Sequence, residues 1–261
     1  MIAAIHHMGL VSLARVCVVV ACVHIVPAMG QGAVAESAAK SGKHLFILSG
    51  QSNMTKNLMQ GFSAKVEEAY GKENVTIAMS MKSGRGIRYW CAGYRYSDNH
   101  PPSEQEQRDN GSLYPPLIEA VKAAAGDQTF ATVTFIWMQG ESDAGRSHAD
   151  VYAESFLKLF QRLETDLKRD DVKFVIGRLS DFDMKNLKNP HWTKMREVQV
   201  KLAEDHKDGE WIDTDDLIQE DPNAAGDLHY RPAESIKLGE RFAAKAIEMI
   251  GPKQPSTPAP Q

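Results

Sequence analysis

Five short apolar segments, separated by longer amphipathic ones, constrain the possible folds of this chain more than any other feature. They are rich in Val, Ile, Phe and Trp, as expected of strands covered on both faces, and they span residues 43–49, 74–80, 131–138, 172–179 and 209–213. The segments between them repeat apolar residues at three- and four-residue steps, which indicates helices with one buried face. The clearest helical patterns occupy residues 147–170, 192–206 and 233–250.

Strands that alternate with helices favour a mostly parallel sheet with helices on both faces. The sequence therefore predicts a three-layer α/β/α sandwich. The chain has 261 residues, a length that suits one large α/β domain, which we place at residues 36–250. The formal net charge is −4, without a long run of either sign. This charge pattern argues against nucleic-acid binding, which needs clustered Lys and Arg.

Residues 1–35 differ from the rest of the chain. Arg15 is their only charged residue, an apolar run follows it, and Ala33-Val34-Ala35 fits a cleavage site. This pattern predicts a signal peptide whose apolar core is too short to span a bilayer, hence a secreted or periplasmic protein without stable membrane insertion after leader removal. The alternatives are an uncleaved anchor, a start codon placed too far upstream, and a lipoprotein anchored through Cys22.

The other end of the chain and one internal segment also lack a core pattern. Residues 251–261 are Pro-rich and aperiodic, which predicts a disordered tail. Residues 92–114 are long, polar and aperiodic, which is typical of a functional loop or a disordered one. Cys91 would be the only cysteine after leader removal, and the histidines lack the spacing of metal ligands. We therefore expect no disulfide, metal or organic cofactor.

Polar and glycine-rich segments follow the predicted strands. They are Gly50–Met54, Lys82–Trp90 and Gln139–Asp143, and Gly226–Tyr230 comes just before the last helix. Because the carboxyl ends of parallel strands meet at one edge of the sheet, these segments are expected to lie close together.

The residues of these segments suit acyl transfer. Ser52 could act as the nucleophile once His229 takes its proton, and Asp227 could orient the imidazole. The oxyanion that forms on the substrate needs donors fixed in advance. The backbone N–H groups of Ser52 and Gly84 and the side-chain amide of Gln139 are the candidates.

The motifs "SGQSNM" (49–54), "SGRGIRYW" (83–90), "QGESDA" (139–144) and "LHY" (228–230) together resemble the SGNH hydrolase superfamily. The similarity is greatest to its carbohydrate esterase family 6 and sialate O-acetylesterase-like branch, and it extends over residues 43–250. The resemblance implies a flavodoxin-like sandwich, Ser52 as the nucleophile and Gly84 as the oxyanion glycine. Ser142 stands where the superfamily usually has an oxyanion asparagine, so the resemblance assigns that role to Gln139.

The last motif departs from the superfamily pattern, in which an aspartate stands three residues before the histidine. Gly226 occupies that position here, and Asp227 lies only two residues before His229. Asp227 is our first choice for the orienting acid. Asp221, Glu141 or a backbone carbonyl are the alternatives.

Five further residues are predicted to bind substrate or support the site: Gln51, Asn53, Glu141, Trp90 and Arg88. Asn53 either supports its turn or hydrogen-bonds the oxyanion loop, and Glu141 is either part of the site or an ordinary helix N-terminal charge. Trp90 either stacks on a sugar or belongs to the core. Arg88 binds either a substrate carboxylate or a surface acid.

The sequence thus predicts a secreted serine esterase that removes O-acetyl groups from carbohydrate, of the acetylxylan or sialic-acid type. One alternative is an SGNH-fold protein that binds glycans with little catalysis, suggested by the displaced aspartate. The other is a short-chain esterase that acts on non-carbohydrate esters.

Overall fold

A computed structural model describes residues 42–97, 101–217 and 228–251 of the chain. The predicted signal peptide, residues 252–261 of the predicted tail, and both Asp221 and Asp227 lie outside the described residues. None of the helices within the described ranges is long and apolar enough to cross a membrane.

The centre of the molecule is one sheet of five parallel strands in the order β2-β1-β3-β4-β5. The strands are β1 His44–Gly50, β2 Val75–Met81, β3 Thr132–Met138, β4 Lys173–Gly177 and β5 Gly209–Ile212. Each lies within one or two residues of a predicted strand, so the predicted parallel sandwich is confirmed. The strand order reverses direction after β1, because β2 lies on one side of β1 and β3 to β5 lie on the other. Such a switch point leaves a crevice between β1 and β3 at the carboxyl ends of the strands.

Seven α-helices connect and follow the strands in the described part of the chain. They are α1 Lys56–Tyr70, α2 Glu104–Asp109, α3 Tyr114–Ala125, α4 Glu141–Gly145, α5 Ala149–Leu167, α6 Trp192–Glu204 and α7 Pro232–Ile250. The three strongest helical patterns of the sequence correspond to α5, α6 and α7.

The sheet separates two apolar layers. Helices α1 and α7 pack on the face that carries Phe46 and Leu48 of β1. Helices α3, α5 and α6 pack on the opposite face, which carries Ile47 of β1 and Trp137 of β3. Successive residues of β1 thus enter different layers, and every residue of β1 is buried. This two-sided burial explains why the strands are continuous apolar runs.

The segment 92–114, predicted to be a long loop, contains helix α2. Its sequence carried a missed signal, because Ser103 and Glu106 form a capping box at the helix N-terminus. Two residues of this segment, Tyr94 and Tyr114, are buried in the core. The described part of the segment is therefore ordered by a local cap and by apolar anchors.

The backbones of α1 and α7 come unusually close where each helix has a glycine. A methyl group on Gly61 would lie 2.1 Å from the Ile236 carbonyl oxygen, and one on Gly239 would lie 2.0 Å from that of Leu58. Both distances are far inside van der Waals contact, so any side chain would push the helices apart.

We expect Gly239→Ala to lower the free energy of unfolding by about 1–3 kcal/mol, because overpacking outweighs the gain in helix propensity. Denaturant unfolding followed by circular dichroism measures the change. Gly93→Ala is the control, since the space beside Gly93 is open. Equal stability of the two variants would contradict this account of the helix contact.

Candidate active site

The turn after β1 presents Ser52 at the carboxyl edge of the sheet. The Gln51 backbone N–H donates to the Met138 carbonyl at 2.9 Å, which ties this turn to the end of β3. Gly50 has φ of +145° and a methyl group there would lie 1.9 Å from the same carbonyl, so only glycine fits. Thr55 then caps α1 by accepting the Leu58 N–H. Ser52 is therefore held between a strand end and a helix start.

His229 meets Ser52 across this edge. Its Nε2 atom lies 2.8 Å from the Ser52 Oγ atom, although the two residues are 177 positions apart in sequence. Ser52 is partly exposed and His229 is exposed, so the pair is open to a ligand. The predicted acid, Asp227, lies outside the described residues, as does Asp221.

The Ser52–His229 pair opens on a cavity of about 530 Å³. Gln51, Gly84 and Glu141 are among the residues that line it. Within the described chain, no cluster of His, Cys, Asp and Glu side chains could hold a metal ion. The cavity thus contains a serine and a histidine within hydrogen-bond distance of each other.

Two backbone amides at the cavity are available as donors. Neither the Ser52 N–H nor the Gly84 N–H has a hydrogen-bond acceptor among the described residues. Gly84 has φ of +68°, a conformation that favours glycine, and nothing lies within 4 Å of the position that a methyl group would take. A carbonyl oxygen in the cavity could thus reach free amide donors.

The predicted oxyanion role of Gln139 does not fit its placement. Gln139 is fully buried, and its Nε2 donates to Asp143 Oδ2 at 2.6 Å, Gln51 Oε1 at 3.1 Å and the Arg85 carbonyl at 3.3 Å. Both amide hydrogens are therefore used inside the protein. Gln139 links three loops of the site beneath the cavity and does not line it.

Asp143 holds the loop that carries Gly84. Its Oδ2 atom accepts both the Ile87 N–H at 2.9 Å and the Gln139 amide at 2.6 Å. Burial raises the pKa of this carboxyl from its ordinary 3.8 to about 6, against the opposing effect of the two hydrogen bonds. The sequence alone does not show this role of Asp143, because its partners Ile87 and Gln139 are brought to it by the fold.

Glu141 and Asn53 form a second buried contact. The Asn53 Nδ2 donates to Glu141 Oε1 at 2.7 Å, and burial raises the pKa of the Glu141 carboxyl. Asn53 was expected either to support its turn or to bond the oxyanion loop. It instead reaches the carbonyl of Leu228, next to His229, at 3.1 Å.

Two of the predicted substrate contacts are buried elsewhere. Trp90 is 1% exposed and packs edge-on against Trp137, so it belongs to the core and cannot stack on a sugar. Arg88 is 4% exposed and donates to the Glu106 carbonyl at 2.6 Å and to Asn110 Oδ1 at 3.2 Å. Its role is to hold the segment around α2, and neither residue lines the cavity.

The cavity is also lined by Arg146 and Asn189, which were not predicted as site residues from the sequence. Arg146 is exposed, and its guanidinium forms no hydrogen bond or ion pair within the part of the chain that the structure describes. Its position two residues beyond the "QGESDA" motif was the available signal. Asn189 lies in the loop before α6, and no motif in the neighbouring sequence indicates that it lines a cavity.

Comparison with known families now identifies the chain. The family described as "Carbohydrate esterase, sialic acid-specific acetylesterase" matches residues 57–248, nearly three quarters of the sequence. The chain belongs to this carbohydrate esterase family. The matched range includes Gly84, Glu141 and His229 and begins five residues after Ser52. No curated protein sequence matches this family member significantly.

Solved structures share the fold of this carbohydrate esterase family member. A protein from Arabidopsis thaliana has a TM-score of 0.59 at 16% identity, over 79% of this chain and 98% of that chain. A carbohydrate acetylesterase from Xanthomonas citri has 0.58 at 17%, over 80% and 57%. NanS has 0.56 at 14%, over 80% and 97%. At these identities the likeness demonstrates a common architecture only.

The raised pKa of Asp143 makes a testable contribution to the stability of this family member. A carboxyl with a raised folded-state pKa stabilises the protein below pH 4, and this contribution is lost as the pH rises through 6. Asp143→Asn keeps one oxygen that can accept both hydrogen bonds but removes the charge. Its stability relative to wild type should therefore improve by on the order of 3 kcal/mol between pH 4 and pH 7.

Urea unfolding of both proteins across this pH range measures the difference. Asp127→Asn, a substitution at an exposed aspartate, is the control. A difference between Asp143→Asn and wild type that stays constant with pH would show that the Asp143 carboxyl does not bind its proton more tightly in the folded state.

Proposed function

We propose that this chain is a serine esterase that removes O-acetyl groups from carbohydrate. The observation that carries the proposal is the 2.8 Å contact between His229 Nε2 and Ser52 Oγ, at a cavity with two free backbone amides. Membership of a carbohydrate esterase family supports the reaction class. The nucleophile, the substrate and the site of action are our own inferences.

In the first half of the reaction, Ser52 Oγ attacks the acetyl carbonyl carbon while His229 Nε2 takes the hydroxyl proton. The carbonyl oxygen becomes an oxyanion, and the N–H groups of Ser52 and Gly84 stabilise it by hydrogen bonds. The tetrahedral intermediate then breaks its bond to the sugar oxygen. His229 gives its proton to that oxygen, so the sugar leaves as an alcohol and the acetyl group remains on Ser52.

In the second half, water replaces the sugar. His229 takes a proton from the water as its oxygen attacks the acetyl-serine carbonyl, and the same two amides stabilise the new oxyanion. The bond to Ser52 Oγ breaks, His229 returns the proton to Ser52, and acetate is released. Asp227 is the proposed acid that orients His229 and stabilises its cationic form. Every step uses residues of the chain without a cofactor.

Arg146 gives the proposal a substrate class. Its exposed side chain lines the cavity that contains Ser52 and His229, and within the described ranges it forms no hydrogen bond or ion pair, although its charge favours the ionised form of Asp143. Arginine binds carboxylates in a bidentate geometry. The family description names sialic acid, a sugar with a carboxylate, and we propose that Arg146 binds this group in preference to a neutral acetylated polymer. The predicted signal peptide would place the reaction outside the cytoplasm.

Replacement of the nucleophile tests the reaction. We expect Ser52→Ala to reduce hydrolysis of p-nitrophenyl acetate and of an O-acetylated sialic acid by at least about 10³-fold, because the covalent step is lost. Ser63→Ala is the control, since the Ser63 hydroxyl donates to the Gln60 carbonyl within α1 and Ser63 does not line the cavity. Asp227→Ala tests the acid and should lower kcat with little change in KM.

Retained turnover in folded Ser52→Ala would overturn the assignment of the nucleophile. A folded wild type that binds acetylated sugar without turnover would favour the glycan-binding alternative. Equal activity on longer acyl groups would favour an esterase that acts on other esters.

Replacement of Arg146 tests the substrate class. We expect Arg146→Gln to lower kcat/KM for an O-acetylated sialic acid by about 10- to 100-fold, mostly through KM, because a charge-assisted pair is lost. Activity on p-nitrophenyl acetate, which has no carboxylate, should stay within about twofold of wild type. Equal losses on both substrates would show that Arg146 supports the cavity and does not select an acidic sugar.

A further inference from the structure

The Asn53 side chain contacts the backbone on both sides of His229. Its Nδ2 donates to the carbonyl of Leu228 at 3.1 Å, and its Oδ1 accepts the N–H of Tyr230 at 3.4 Å. One side-chain amide thus hydrogen-bonds both the carbonyl of the residue before the histidine and the N–H of the residue after it. Asn53 is itself almost fully buried, so its position is set by the core.

Glu141 fixes the orientation of that amide. The Glu141 side chain is buried, and its Oε1 accepts the second Nδ2 hydrogen of Asn53 at 2.7 Å. The Glu141 oxygen accepts in this contact, so it faces the NH₂ end of the amide. With its NH₂ group toward Glu141, the Asn53 amide directs its oxygen toward the Tyr230 N–H. A reversed amide would place two oxygens against each other and two donors against each other.

His229 needs such support because it lies at the surface. Its side chain is exposed and Leu228 is only partly buried, so apolar packing alone does not fix the base. Asn53 follows Ser52 directly in sequence, and its side chain therefore links the base to the turn that carries the nucleophile. A misplacement of about 1 Å between reacting groups can cost about 10²-fold in rate.

We propose that Asn53 and Glu141 are a positioning pair that holds His229 within reach of Ser52. The inference rests on the proposed hydrolysis by Ser52 and His229, and it assigns to the pair no contact with substrate. Glu141 reaches the His229 backbone through its hydrogen bond to Asn53, and its carboxyl also interacts electrostatically with His229. The pair operates in addition to the acid that orients the imidazole.

Kinetics of single and double variants test the pair. We expect Asn53→Ala and Glu141→Ala each to lower kcat for p-nitrophenyl acetate by about 10²-fold, with KM within about twofold. The double variant should lose no more than Asn53→Ala alone, because both residues act through one contact. Glu141→Gln keeps an oxygen for Asn53 and should retain activity within about threefold of wild type.

The control is Asn74→Ala. The Asn74 Nδ2 also donates to a backbone carbonyl, that of Tyr70 at 2.8 Å, but it lies just before β2 at the opposite edge of the sheet. This variant should keep the wild-type kcat. Additive losses in the double variant, a loss confined to KM, or equal damage from Glu141→Gln and Glu141→Ala would each overturn the proposal.

A charge swap covers the case in which the alanine variants unfold. Asn53→Asp places two carboxyl groups together and should lower kcat by at least about 10²-fold. Adding Glu141→Gln restores a donor and an acceptor to the pair, so the double variant should regain stability, but the new carboxylate still faces the Leu228 carbonyl and kcat should stay about 10²-fold below wild type. A folded double variant with the wild-type kcat would overturn the positioning role.

A readout without turnover separates this proposal from the proposed function. The imidazole NMR signals of His229, assigned with His229→Asn, should be sharp in wild type and shifted or broadened in Asn53→Ala but not in Asn74→Ala. Unchanged His229 signals in Asn53→Ala would overturn the positioning role even if the enzyme is active. An inactive wild type whose signals respond as expected would overturn the proposed hydrolysis alone.

Discussion

The hydrogen bond from the Gln51 N–H to the Met138 carbonyl is the contact on which the site depends. It lies where β1 and β3 end side by side, and it joins the first loop of the carboxyl edge to the third. Hydrogen bonds between buried side chains connect this junction to the other loops of the site. Gln139 bonds to Gln51 and Asp143, and Asp143 bonds to the loop that presents Gly84. Hydrogen bonds between loops thus hold the cavity wall, as catalysis by fixed donors requires.

Helix α4 carries two buried carboxyl groups, those of Glu141 and Asp143, that hold different loops of the site. Glu141 and Asp143 are both buried, and burial raises the pKa of both. Asp143 faces the loop of the proposed oxyanion site, and Glu141 faces the loop of His229 through Asn53. Two residues of one helical turn therefore contact two different loops of the site. The cost of burying each carboxyl is reduced by donors that come from other loops.

The sequence was informative where a residue's role follows from its place in the chain. Strand composition predicted the sheet, and the strand ends predicted Ser52 and Gly84 as neighbours. The position of His229 just before the last helical pattern added it to this group. The sequence failed where a side chain's direction depends on distant packing. Nothing in the sequence distinguishes a Gln139 amide that faces a cavity from one used by three loops, and the apolar surroundings of Trp90 come from β3. The helix within 92–114 was readable from its capping box, and the acid beside His229 lies outside the described residues.

The contact between α1 and α7 has a consequence for the order in which the molecule is made. Helix α1 begins three residues after Asn53, and α7 begins three residues after His229. The glycine contact of the two helices therefore brings the serine and the histidine to the same edge. Chains are synthesised from the amino terminus, so a growing chain carries the serine long before the histidine exists. The site cannot assemble until α7 has left the ribosome and docked against α1. The unfinished polypeptide therefore has no serine paired with a histidine.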